Sequence, residues 1–393
     1  MPQRAATVVG GGIGGLAAAL ALHRRGWHVE VLERAPEFTE IGAGISLWPN
    51  ALRALEVLGL AGTVRSRGAV ESAGAVRDHR GRRLSRTDNA EVERRFGRPL
   101  VVLHRADLLR ALAEALPGDR LLPGSEVSAV RDDGGHPVVG HRGGESRPDL
   151  VIGADGLRST VRRRLWPDAP GPRYAGYTAW RMVTRPLAEP PGEGTVTWGR
   201  GERFGCTVLP GGRMYCFATA SLPPGTPSEP SEHAELLRRF GSWPDPVPAL
   251  LAAVPEDAVL RHDLYDLPPL PSFVCGRVAL LGDAAHAMTP NLGQGACQAL
   301  EDAVVLAHCL DGTPDVAAAL RSYDLLRRPR TQAVARRSAR LGVIGQLSWP
   351  PAALLRDTAA RLAPARLTLR AMTPVLGWTP PGDRATTGDG GND

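Results

Sequence analysis

The chain has no lysine: all 47 basic residues are arginine. Arginine-only usage, with 46 glycines and 35 prolines, reflects a GC-rich coding bias of the kind found in actinomycete-like hosts. A net charge of +6 therefore carries little information about nucleic acid, and no arginine run exceeds three (Arg162, Arg163, Arg164). Aromatic residues are scarce at 5%. The five cysteines (Cys206, Cys216, Cys275, Cys297, Cys309) include no CxxC pair. That speaks against a disulfide framework, a zinc site and a dithiol redox centre, and reduced cytoplasmic thiols are the simplest reading. The longest uncharged stretch, Ala5 to Leu22, holds five glycines near its start and has no small-residue cleavage site after it. It reads as neither an export signal nor an anchor, so no membrane partner is expected.

What is present is ordinary for a globular protein of 393 residues: 43% hydrophobic and 22% charged, enough for two or three domains. Thr7 to Val9 predicts a short buried strand, Gly14 to Arg25 a helix, and His28 to Glu33 a second strand. This order implies a parallel sheet with a right-handed crossover. Asn50 to Leu58 and Arg105 to Leu116 read as amphipathic helices. Asp149 to Gly153 and Arg277 to Gly282 read as buried strands, and Gly295 to Leu310 and Val316 to Leu341 as helices. Arg173 to Thr219 has short runs of Thr, Val, Tyr, Trp and Phe, which predict antiparallel sheet. Pro186 to Gly194 and Leu222 to Pro230 read as loops.

Gly10, Gly12 and Gly15 form a GxGxxG turn between the first strand and helix. The first glycine permits the tight turn, the second lets the backbone approach a pyrophosphate, and the third lets helix and strand pack closely. Ile13 and Gly14 lie at the helix start, whose free N–H groups would face phosphate. Glu33, 18 residues beyond Gly15, would accept the ribose hydroxyls and repel a 2′-phosphate, with Arg34 beside it. These residues specify an ADP half without deciding between FAD and NAD.

Further motifs follow: Asp149-Leu-Val-Ile-Gly-Ala-Asp155-Gly156-Leu-Arg-Ser159, Leu281-Gly282-Asp283-Ala-Ala-His286, and Ile41-Gly-Ala-Gly-Ile-Ser46-Leu-Trp-Pro-Asn50. Together with GxGxxG, over residues 5 to 345, the chain resembles the class A FAD-dependent aromatic monooxygenases, in particular the subgroup of salicylate and urate hydroxylases. The resemblance implies an α/β fold: a Rossmann-type FAD domain, glutathione-reductase-like, with an inserted, mainly antiparallel β-sheet substrate domain and C-terminal helices. It implies FAD-binding segments at 1–70, 98–172 and 269–345, substrate-domain segments at 71–97 and 173–268, a helical segment at 346–380 and a disordered tail at 381–393. FAD contacts are implied for Ser46, Arg105, Val127, Asp155, Gly156, Gly282 and Asp283. The segment Pro290, Gly293, Gln294, Gly295, Ala296 would place a helix N-terminus against the flavin pyrimidine. His286 would belong to the flavin-binding turn, and Cys297, where many relatives carry asparagine, would make the pocket floor less polar.

The implied activity is NAD(P)H-dependent hydroxylation of an aromatic or N-heteroaromatic small molecule through a flavin C4a-hydroperoxide, with O2 as co-substrate. Tailoring of a natural product would suit the host. The absence of a second GxGxxG fits a coenzyme that visits and leaves. The resemblance implies Arg203 and Tyr215 as the catalytic, substrate-contacting pair. Trp180, Arg181 and Pro290 are further substrate-contact candidates. An epoxidase, an oxidase or reductase, and a flavin-binding module without activity are the competing readings. The sequence leaves NADH against NADPH, and monomer against homodimer, open.

Overall fold

The computed structural model describes residues 3–38 and 43–382. Two sheets organise the chain. The first has six strands in the spatial order Val274–Cys275, Val278–Leu280, Leu150–Gly153, Ala5–Val9, His28–Leu32, Leu121–Leu122. All its pairings are parallel except that of Val274–Cys275. Its central strands are buried on both faces, which explains their apolar runs. The helix Ile13–His23 packs between this sheet and the helix Gly295–Leu310. Nine of its eleven residues are buried, so its sequence is apolar all round rather than amphipathic.

The second sheet has seven strands: Leu260–Asp266, Arg173–Val183, Arg213–Ala220, Glu202–Leu209, Gly194–Trp198, Ala73–Asp78, Arg83–Asp88. Its first five strands run antiparallel. Gly194–Trp198 then pairs in parallel with Ala73–Asp78, a pairing that the alternating pattern of residues 173–219 could not disclose. Strand alternation divides the sheet into two faces. Trp180, Met182, Phe204 and Met214 pack under the helices Glu232–Phe240 and Val247–Ala252 as a separate apolar core. Arg181, Arg203, Tyr215, Phe217 and Thr219 point the other way, into the space between the sheets.

Two small three-stranded sheets complete the β structure, Gly44–Leu47 with Val101–His104 and Ala69–Val70, and Val127–Asp133 with His136–His141 and Gly144–Ser146. The long helix Val316–Gly345 outruns the sequence expectation by four residues and spans both sheets' territory. The helices Pro350–Leu362 and Ala365–Leu376 follow. Of the tail expected at 381–393, residues 383–393 lie outside the described residues, as do Ile41 and Gly42 of the Ile41–Asn50 motif.

Candidate active site

A cavity of about 740 Å³ lies between the segments that follow the first sheet's strands and one face of the second sheet. At one end stands the glycine turn. Gly10 has φ of +106°, and a Cβ there would lie 2.5 Å from the Ala154 carbonyl oxygen. A Cβ on Gly15 would lie 1.9 Å from the Gly10 backbone oxygen, so helix and turn touch only because residue 15 is glycine. Gly12 differs, because a Cβ there meets nothing within 4 Å. The protein's own packing therefore does not require glycine at this position. Gly12, Ile13 and Gly14 line the cavity, and no side chain caps the helix they begin. Free N–H groups at a helix start, beside open space, suit a pyrophosphate. Glu33 accepts hydrogen bonds from the Gly11 N–H (2.6 Å) and the Ala35 N–H (2.8 Å), which fixes its carboxylate beside the turn. Arg34 is exposed next to it.

The second motif divides its labour. Gly156, with φ of +77°, lines the cavity. Asp155 accepts from the Ser159 hydroxyl (2.5 Å) and the Thr160 N–H (2.6 Å), so its carboxylate secures the start of the helix Thr160–Leu165. Val127 is buried in the main core at the start of its strand, outside the cavity lining.

Across the cavity, Gly282 takes φ of +58° and presents Asp283, which is exposed into the space. Pro290, Gly293, Gln294, Gly295 and Ala296 form the adjoining wall. Gly293 has φ of +61°, and a Cβ there would lie 3.1 Å from the Trp48 indole nitrogen. The helix Gly295–Leu310 opens here without a side-chain cap, leaving N–H donors for an electron-rich ring. Ser46 and Arg105 face it from the strand Gly44–Leu47 and the start of the helix Arg105–Glu114. Cys297 does not form the cavity floor as expected. Its thiol donates to the Gly293 oxygen (3.4 Å) beneath the wall, and burial pushes its pKa up to about 12.

Beneath this wall lies a buried polar network that the sequence did not disclose. His286 Nε2 is 2.6 Å from Asp302 Oδ2, which also accepts from the Gly282 N–H (3.0 Å). Arg327 donates to Asp302 (2.6 Å) and Glu301 (2.6 Å). Gln294 Oε1 accepts from Asn50 (3.0 Å) and Gln298 (3.0 Å), tying the turn Pro290–Gly295 into the same network. Burial alone would raise the Asp302 pKa, but His286 and Arg327 hold it well below the carboxylate range. The same carboxylates hold the Arg327 guanidinium above its ordinary range against burial.

On the sheet side, Arg203 is 7% exposed. Its guanidinium donates to Asn291 Oδ1 (2.9 Å) and Gln346 Oε1 (3.2 Å) and lies over the Tyr177 ring. Burial lowers its pKa. Tyr215 packs on Gly44, where a Cβ would lie 2.5 Å from its ring. Burial raises its phenol pKa. The ladder pairs Arg203 with Thr219 and Thr207 with Tyr215. The two residues therefore share a face but stand four positions apart, about 13 Å along the strand. Arg181 lines the cavity; Trp180 does not. Adjacent strand residues face opposite ways, and Trp180 is fully buried in the other core with its indole N–H on Glu232 (2.6 Å). The expectation of substrate contact for Trp180 is thereby corrected. Asn291, Tyr177, Gln346 and Glu71 belong to the site or its support and were not anticipated. Only Asn291, inside the Pro290–Gly295 run, carried a signal.

The cavity thus has a phosphate-ready turn at one end, an uncapped helix start on one wall and cationic and phenolic groups opposite, which fits FAD. Comparison with known proteins agrees. Residues 3–338 match the FAD binding domain family. The chain is 41% identical over 357 residues to an aurachin C monooxygenase/isomerase of Stigmatella aurantiaca, covering 90% of this chain and 93% of that one. It is 36% identical to a 3-amino-4-hydroxybenzoate 2-monooxygenase of Streptomyces cremeus, covering 90% and 91%. Its fold matches that of Klebsiella pneumoniae HpxO, solved with FAD and uric acid, with a TM-score of 0.90 at 32% identity, covering 96% and 97%. The chain belongs to the FAD-binding family of class A flavoprotein monooxygenases.

Proposed function

We propose that the protein is an NAD(P)H-dependent hydroxylase of an aromatic or N-heteroaromatic small molecule bearing an acidic oxygen. The observation that carries this reading is the cavity itself, in which the wall Pro290–Ala296 and the sheet face of Arg181, Arg203 and Tyr215 confront each other. FAD, once bound and reduced by a visiting nicotinamide coenzyme, supplies activated dioxygen.

The chain's residues do the rest. Gly12 to Gly15 and Glu33 hold the ADP half, with Arg34 and Val127 at its periphery. Gly156, Asp283, Ser46 and Arg105 flank the remainder, and Gly293 to Ala296 direct N–H groups at the ring's electron-rich edge. Asp155 acts by holding the turn that carries Gly156. Arg203, kept rigid by Asn291 and Gln346, pairs with the substrate's anionic oxygen and orients its ring. Tyr215, whose raised pKa keeps its phenol protonated at neutral pH, donates a hydrogen bond further along the same face. Pro290 and Phe217 supply apolar walls. All five cysteines are free thiols, which supports a reducing, cytoplasmic setting.

The test is a ligand screen of the FAD-loaded protein, read as acceleration of NADH or NADPH oxidation. Aurachin C, 3-amino-4-hydroxybenzoate, uric acid and salicylate are the first ligands. We expect at least one to accelerate oxidation and to return with one added oxygen. Acceleration by none, in protein that holds FAD, would remove this reading.

A further inference from the structure

The C-terminal helices carry an apolar surface that the fold leaves uncovered. Thirteen large apolar side chains are exposed among the described residues, and six of them, Val343, Trp349, Leu354, Leu355, Leu362 and Leu367, fall in this C-terminal region outside the active-site cavity. Trp349, Leu354, Leu355 and Leu362 are 68%, 67%, 70% and 75% exposed. Soluble proteins seldom leave so many large apolar groups close together in water without a use for them.

The pattern is ordered. On the helix Pro350–Leu362, Leu354, Leu355, Arg361 and Leu362 share one face by their spacing of one, seven and eight residues. The opposite side buries Ala353 and Arg356 and packs on the strand Arg83–Asp88. The next helix does the same: Leu367 and Arg370 are exposed while Leu369, Val375 and Leu376 are buried. At the end of the long helix, Arg336 and Arg340 lead into exposed Val343.

Charge decides what covers this surface. Residues 336 to 376 contain seven arginines and one acid, Asp357, which is paired with Arg356 at 2.8 Å. Arg336, Arg340, Arg361, Arg366 and Arg370 are exposed and form no ion pair among the described residues. A second copy meeting this surface by two-fold symmetry would set like charges against each other. A nucleic acid would satisfy the arginines but leave Trp349 and the leucines in water. An anionic bilayer satisfies both. Its headgroups attract the guanidinium groups, while tryptophan and leucine enter the interface and the arginine stems lie along it. No described helix is long and apolar enough to cross a membrane, so contact would be peripheral.

We propose that the C-terminal helices dock the protein on an anionic lipid surface, contrary to the sequence expectation of no membrane partner. The same helices reach the active site, since Leu341, Ile344 and Met372 line the cavity. If the proposed hydroxylation holds, a lipid-dissolved substrate would meet the cavity along that wall; the docking itself does not depend on the reaction.

The test is co-sedimentation of the FAD-loaded full chain with vesicles of phosphatidylcholine alone, or mixed with an equal amount of phosphatidylglycerol. Partitioning into the mixed vesicles should be stronger by about tenfold or more, and should fall with salt. Trp349→Ser combined with Leu354→Ser and Leu355→Ser should weaken it by about tenfold or more. Arg361→Gln with Arg366→Gln and Arg370→Gln should erase the preference for anionic lipid. The flavin spectrum shows that each variant is folded. Equal or absent binding to both vesicles would overturn the proposal. So would light scattering that shows a dimer lost on the leucine substitutions, which would assign the surface to a second copy.

Discussion

At the scale of single residues, the site depends on which way each side chain points. Arg203 and Tyr215 share a sheet face because the strands Glu202–Leu209 and Arg213–Ala220 are adjacent and in register. That much was legible, since a hairpin can be read from a short turn between alternating runs. The choice between Trp180 and Arg181 was not legible, because period two says only that they oppose each other. Which one meets the cavity depends on the helices packed on the far side. Arg203→Gln should raise KM by about tenfold to a hundredfold, the worth of a charge-assisted hydrogen bond, with a smaller effect on FAD retention. Steady-state kinetics on whichever ligand accelerates coenzyme oxidation would check it, and an unchanged KM would detach Arg203 from the substrate.

At the scale of elements, the glycine turn was readable because its constraints are local: a backbone angle at Gly10, a contact at Gly15 and an approach at Gly12. These roles separate by substitution. Gly15→Ala forces a Cβ onto the Gly10 oxygen and should lower the melting temperature of the protein even without FAD. Gly12→Ala adds a methyl to open space, so it should leave the apoprotein's melting temperature unchanged and weaken FAD binding by about tenfold or more. A Gly12 variant that binds FAD normally would argue against a pyrophosphate at this turn.

The network around Asp302 was hidden for the opposite reason. His286, the neighbouring pair Glu301 and Asp302, and Arg327 come from three separate helices and meet only in the fold. Asp302→Ala leaves Arg327 short of a buried counter-charge and should cost about 3–5 kcal/mol, measured by denaturant unfolding. The folded pKa of Asp302 lies below its unfolded value. Its contribution to stability is therefore fully present above the ordinary aspartate range and is lost as pH falls through and below that range. The wild-type protein should lose stability on acidification more steeply than the Asp302→Ala variant.

At the scale of the whole molecule, two sheets with different chemistry enclose one space. The parallel sheet brings three motifs, far apart in sequence, to the carboxyl ends of its strands, where ligands bind in open α/β sheets. The second sheet brings one polar face. The order of the motifs announced the first sheet, because each carries its own glycine signature. The second was visible only as strand-like composition, and its parallel pairing with Ala73–Asp78 joins segments more than a hundred residues apart. The identity of the substrate stays out of reach of sequence for the same reason: it is set by side chains from six strands of the second sheet and the end of a long helix. In the proposed reaction this space brings an activated oxygen to an aromatic ring. The most direct measurement is turnover of the FAD-loaded protein with its accelerating ligand under isotopically labelled dioxygen. Mass spectrometry should find one labelled oxygen atom in the organic product. Label appearing only in hydrogen peroxide, with the ligand recovered unchanged, would contradict the account.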